Sequence, residues 1–138
     1  MKALRFYAPE DVRLEEVPEP DCGPLEIKLR VRNCSTCGTD VKIFYNGHQN
    51  LTPPRITGHE IAGEVVQVGA DVNDTYGSGW QVGDRAQVIA AVPCGECYEC
   101  RKGWMEVCQN QTSVGYQYEG GFAEYMIVPR QVLKVDGL

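Results

Sequence analysis

The chain has 138 residues, 43% of them hydrophobic and 23% charged, with a formal net charge of −6 at pH 7. That length supports one domain with its own apolar core, and the balance is that of a soluble globular protein, which excludes a fibre or a disordered tail. The acidic balance and scattered basic residues exclude the footprint of a nucleic-acid partner. No apolar run nears the roughly 20 residues that span a bilayer and no signal-peptide core follows Met1, so no membrane is expected and the location is expected to be cytoplasmic.

In chain order, Val12 and Leu14 among Glu residues give a weak period-2 pattern. Ile27, Leu29 and Val31 alternate with Lys28, Arg30 and Arg32 and predict a half-buried strand. The stretch from Gly38 to Tyr45 is the one helical candidate, short, with Thr39 or Asp40 as its cap. Apolar runs at Ile61 to Val68, Ala86 to Val92 and Phe122 to Val128, each bounded by Gly, Pro or Asp, predict further strands. Between them, Asn73 to Gly83 loosely echoes a dinucleotide fingerprint. Lacking the flanking strand and helix that such a fingerprint needs, it is expected to be a flexible hairpin connection. Many short strands without helix-length connections favour a mainly β barrel or sandwich.

Seven cysteines in a chain of this class suit metal or catalysis better than disulfides. Cys94, Cys97, Cys100 and Cys108 form C-x2-C-x2-C-x7-C in a segment too polar to make a core, and four thiolates offer a closed tetrahedral shell for structural zinc. Ligand type alone leaves iron open. Such a lobe also suits a zinc-stabilised protein-binding module. Of the other cysteines, Cys37 lies 22 residues before His59, one of only two histidines. Taken alone, that pair suits a metal ligand and a hydrogen-bonded core histidine equally.

The combination of Cys37-Gly-Thr-Asp40, Gly58-His-Glu60, Val82-Gly-Asp-Arg85, the four-cysteine lobe and Gly120-Gly-Phe-Ala-Glu-Tyr125 resembles the zinc-dependent medium-chain alcohol and polyol dehydrogenases. The resemblance runs over nearly the whole chain and implies their N-terminal catalytic domain, a GroES-like partly open β-barrel with a short helix and a zinc lobe. It implies that Cys37 and His59 ligate a catalytic zinc, with Glu60 as a ligand or a neighbour of one. Adjacent strand residues face opposite ways, so His59 and Glu60 share an ion only at a strand end or bulge. The resemblance gives Thr39 the hydroxyl that takes part in proton transfer; Asp40 suits the orienting of His59 or of the loop and a carboxylate at a helix N-terminus equally, and Lys42 stands where many members have a relay histidine, so the proton is expected to leave through Lys42, water or His48. It implies NAD or NADP as cofactor, held by a Rossmann domain lying outside residues 1–138. A small alcohol or polyol is the implied substrate, and the complete enzyme is expected to be a homo-oligomer. The isolated domain is expected to be inactive.

Overall fold

The computed structural model describes residues 1–138. Nine strands lie in chain order as β1 (Lys2–Ala8), β2 (Asp11–Glu16), β3 (Ile27–Ser35), β4 (Arg55–Ile56), β5 (Glu60–Val68), β6 (Arg85–Val88), β7 (Ala91–Val92), β8 (Thr112–Ser113) and β9 (Tyr125–Val128). Four helices accompany them: α1 (Gly38–Asn46), α2 (Val72–Tyr76), α3 (Tyr98–Arg101) and α4 (Arg130–Lys134), with a 3-10 turn at Met105–Val107. The strands form sheets of order β2-β1-β4, β6-β5-β3-β9 and β7-β8, and none of these closes on itself. The architecture is therefore the mainly β, partly open one that the sequence predicts.

The core sits on one face of the four-stranded sheet. Ile27 and Leu29 of β3, Ile61 and Val65 of β5, Val88 of β6 and Met126 and Val128 of β9 share one buried cluster, joined by Val132 and Leu133 of α4. Strand alternation supplies this face, since every second side chain points inward while Lys28 and Arg30 turn out. Two bulges interrupt the β3–β5 ladder, between Lys28 and Leu29 and between Val31 and Asn33. The second lies close to the end of β3 that leads towards Cys37, where such a bulge re-aims the chain. A smaller cluster of Phe6, Ile43 and Leu51 holds α1 against β1.

The sequence understates the helices. α1 is the expected one, but its cap is Cys37 rather than Thr39 or Asp40. The segment from Asn73 to Gly83 is more than a connection: α2 opens it, and the Asn73 amide donates to the Trp80 carbonyl and accepts from the Trp80 N–H and the Ser78 hydroxyl. The apolar run from Ala86 to Val92 splits into β6 and β7, because the Ile89 N–H leaves the ladder to donate to the Gly137 carbonyl.

Two leucines on strands test the assignment of faces. Leu29 is wholly buried and Leu14 is 70% exposed. Leu29→Ala should lower stability by about 2–5 kcal/mol, and Leu14→Ala should stay within about 0.5 kcal/mol. Urea denaturation of the two variants checks this, and equal losses would place the core elsewhere.

Candidate metal centres and the adjoining cavity

Two groups of side chains have metal-binding geometry. In the first, the ligand atoms of Cys94, Cys97, Cys100 and Cys108 all lie within 4.8 Å of one another. The Cys94 and Cys100 sulfurs are 4.0 Å apart, and those of Cys97 and Cys108 are 3.9 Å apart. A tetrahedral ion with metal–sulfur bonds of about 2.3 Å requires sulfur–sulfur edges of about 3.8 Å, whereas a disulfide would need about 2.05 Å. The lobe is therefore arranged for an ion.

Its backbone cooperates with its thiols. The Glu96 and Cys97 N–H groups donate to the Cys94 sulfur, at 3.4 and 3.3 Å, and draw its pKa down to about 6. Burial pushes the Cys100 thiol the other way, to about 12. One sulfur is thus ready as thiolate, while the other gives up its proton only to an ion that takes its place. The lobe is held to the rest by the two-residue pairing of β7 with β8 and by the Lys134–Glu96 ion pair.

The second group is Cys37, Asp40 and His59. Cys37 caps α1: its sulfur accepts from the Thr39 N–H at 3.3 Å, and its own N–H donates to Asp40 Oδ2 at 2.9 Å, completing a capping box. His59 arrives from the other side, just before β5. Gly58 precedes it with φ +89°, and a Cβ there would come within 2.8 Å of the Cys34 sulfur and of the Phe122 ring. Only glycine fits that bend and that gap. The Gly121 and Phe122 N–H groups donate to the carbonyls of Gly58 and Thr57 and clamp this approach.

His59 Nε2 lies 3.2 Å from the Cys37 sulfur, and its Nδ1 lies 3.7 Å from Asp40 Oδ1. The imidazole and the carboxylate are only 12% and 11% exposed, yet Nδ1 and Oδ1 have no hydrogen-bond partner. Two orphaned buried polar atoms facing each other call for an explanation. An ion held by the sulfur and Nε2 gives one. It fixes the neutral tautomer with its proton on Nδ1, and a closure of roughly 0.7 Å then makes the bond to Asp40. A tetrahedral ion needs a sulfur–nitrogen edge of roughly 3.5 Å, close to that observed. The residues present fit a zinc ion, with Cys37 and His59 as donors and Asp40 behind the imidazole.

The remaining residues singled out in the sequence divide. Thr39 and His59 line a cavity of about 360 Å³ with His48, Ser113, Tyr116 and Gln117. Glu60 opens β5 opposite Ser35 and is exposed, outside the three-residue donor group. Lys42 is exposed on α1 and is not among the cavity's lining residues. Cys34 belongs to neither donor group, and burial raises its thiol pKa to about 11. Tyr116 and Gln117 carry no sequence signal of a site, because they reach the cavity from an irregular segment far along the chain, whereas His48, one of the sequence's relay candidates, does line it.

Residues 23–136 match the model of the alcohol dehydrogenase GroES-like domain. The L-threonine 3-dehydrogenase of Pyrococcus abyssi is 43% identical over 134 residues, 95% of this chain and 36% of that protein. Among solved structures, a zinc-binding dehydrogenase of Sinorhizobium meliloti bound to NADP is 33% identical with a TM-score of 0.83, over 94% of this chain and 36% of that one. A thermostable alcohol dehydrogenase of Pyrobaculum aerophilum, bound to cobalt and zinc, is 32% identical with a TM-score of 0.81, over 94% and 39%. The chain thus spans little more than a third of each of these proteins.

Two variants separate the roles of the first helical turn. Asp40→Asn keeps an oxygen to accept from the Cys37 N–H but removes the charge behind His59, so zinc affinity should fall about 10–100-fold with α1 intact. Asp40→Ala should add a loss of about 0.5–2 kcal/mol in stability. Competition with a chromophoric chelator, alongside thermal melting, reads the two effects separately. In the lobe, Cys100→Ser should release one ion per chain and lower the melting temperature sharply. Metal content by mass spectrometry checks this, and an absent visible spectrum in the parent chain separates zinc from iron.

Proposed function

Since the chain belongs to the family of alcohol dehydrogenase GroES-like domains, we propose that it is the catalytic part of a zinc-dependent dehydrogenase. Its reaction is hydride transfer between a small alcohol and a nicotinamide cofactor. The observation that carries this reading is the juxtaposition of the Cys37–His59 donor pair with a cavity that also presents the Thr39 side chain. A binding module stabilised only by the four-cysteine lobe leaves this second site without a purpose.

When bound, zinc supplies Lewis acidity that makes a hydroxyl acidic near neutral pH, and the nicotinamide supplies the hydride acceptor. The chain's own residues do the rest. Cys37 and His59 hold the ion, Asp40 orients the imidazole, and Thr39 presents a hydroxyl at the cavity wall through which the substrate's proton departs. Glu60 stands beside His59 as an exchangeable donor or a charge near the ion. Lys42 is assigned no contact with substrate, and water completes the route to solvent. The lobe of Cys94, Cys97, Cys100 and Cys108 holds a second, closed zinc with no free position, so its contribution is structural. The nicotinamide is bound by a domain outside residues 1–138, and residues 1–138 alone do not turn over substrate. We assign the complete enzyme to the cytoplasm as a homo-oligomer. Within the chain, no helix is long and apolar enough to cross a membrane.

His59→Ala should remove one zinc and leave the lobe's zinc in place, halving the metal content. Thr39→Val keeps shape and metal but loses the hydroxyl, so turnover should fall about 100-fold or more in an enzyme that joins this chain to a nucleotide-binding domain. Zinc content and turnover are measured on both variants. Unchanged turnover in Thr39→Val would route the proton through water alone, and unchanged zinc in His59→Ala would overturn the assignment of the site.

A further inference from the structure

The backbone that delivers His59 is held from one side by a single short stretch of chain, residues 119–122. The Gly120 N–H donates to the Ile56 carbonyl at 2.7 Å, the Gly121 N–H to the Gly58 carbonyl at 2.9 Å and the Phe122 N–H to the Thr57 carbonyl at 3.0 Å. These are main-chain bonds, indifferent to side-chain type. The approach is so close that a Cβ on Gly120 would come within 2.3 Å of the Gly58 carbonyl oxygen and 2.4 Å of that of Thr57. Bare backbone lies on bare backbone at Gly120, so the contact has little side-chain interlocking to fix how far one segment slides along the other.

Glu119 supplies that register. Its Oε2 accepts from the Ile56 N–H at 2.7 Å and its Oε1 from Arg55 Nη1 at 3.1 Å, so one carboxylate grips both residues of β4. The Arg55 side chain is 21% exposed and that of Glu119 47%. An ion pair so open to water adds little to global stability. On its other side Glu119 follows a turn in which the Tyr116 and Gln117 N–H groups donate to the Ser113 carbonyl, the turn that sets Tyr116 and Gln117 on the cavity wall. The residue therefore stands at the junction of that wall with the approach to His59.

We propose that Glu119 is a positioning residue of the Cys37–His59 site: by fixing residues 119–122 against Arg55 to Gly58 it sets where the imidazole stands, and with it the 3.2 Å approach of Nε2 to the Cys37 sulfur. The assignment rests on the reading of Cys37 and His59 as a zinc site. Glu119 belongs to neither donor group and acts through the backbone. Without it the segment before His59 keeps its fold but samples more orientations, and an ion must then order its own ligands. Glu124 offers a matched control. Its carboxylate accepts from the Lys2 N–H at 2.7 Å, the same kind of bond from the same segment, but it holds β1 instead of the approach to His59.

The test measures the affinity of the second zinc ion by competition with a chromophoric chelator in the parent chain and in Glu119→Ala, Glu119→Gln and Glu124→Ala. Nitrogen-15 imidazole spectra, with the His59 signals identified by their absence from His59→Ala, show that this ion is at His59. Truncating a half-exposed side chain opens no cavity, so the variants fold, and retention of the lobe's ion reports it. We expect Glu119→Ala to weaken the ion at His59 at least about tenfold, as loss of an outer partner does, with the lobe's ion retained. Glu119→Gln keeps an acceptor for the Ile56 N–H and should recover most of that loss. Glu124→Ala should lower the melting temperature about as much as Glu119→Ala and leave the ion at His59 unaffected. If zinc fails to move the His59 nitrogens of the parent chain, the metal reading falls and this proposal with it. If they move, four results overturn the proposal alone: unchanged affinity in Glu119→Ala, a loss shared by the lobe's ion, an equal loss in Glu124→Ala, or no recovery in Glu119→Gln.

Discussion

The antiparallel pairing of β3 with β5 is the constraint from which both the core and the site follow. Its register sets Ser35 opposite Glu60 and Cys34 opposite Ile61. Residues that flank this end of the ladder are thereby brought together although far apart in sequence, and Cys37 and His59 are two of them. The same ladder places Leu29 against Val65 on the buried face. A slip of one residue would expose that face and shift the two donor side chains relative to each other. Packing and chemistry thus specify the register jointly.

The first turn of α1 adds a second coupling. Asp40 gives one oxygen to the helix cap and the other to the imidazole edge. The Cys37 sulfur both receives the Thr39 N–H and faces His59. Helix capping and the proposed metal site therefore draw on the same two side chains.

The strands were legible because alternation has a short period. Ile27, Leu29 and Val31 show it within five residues, and the structure buries Ile27 and Leu29 as that pattern demands. Helices α2, α3 and α4, of four or five residues each, are shorter than the span over which a 3.6-residue period can be read. Cysteine is not among the favoured capping residues, which is why propensity pointed to Thr39 and Asp40 in place of Cys37. The four-cysteine lobe was legible from spacing because all its donors lie within 15 residues of chain. The cavity was not, since His48 and Tyr116 are 68 positions apart and meet only through the small cluster in which Tyr116 packs against Phe6, Ile43 and Leu51. Glu60 shows the limit of local geometry: it opens β5, the strand end at which alternation no longer fixes whether it and His59 share a face.

The lobe's slender attachment gives the molecule two thermal scales. Two-residue strands and one exposed ion pair join it to the rest, and the main buried cluster reaches its base at Val92 and Val114 without including its four cysteines. Such a segment opens as a unit of its own, with a free energy set by the ion's chemical potential, while the main sheet responds to global unfolding alone. Chelation therefore acts as a local denaturant on this protein, loosening one lobe and leaving the sheet that carries His59 in register.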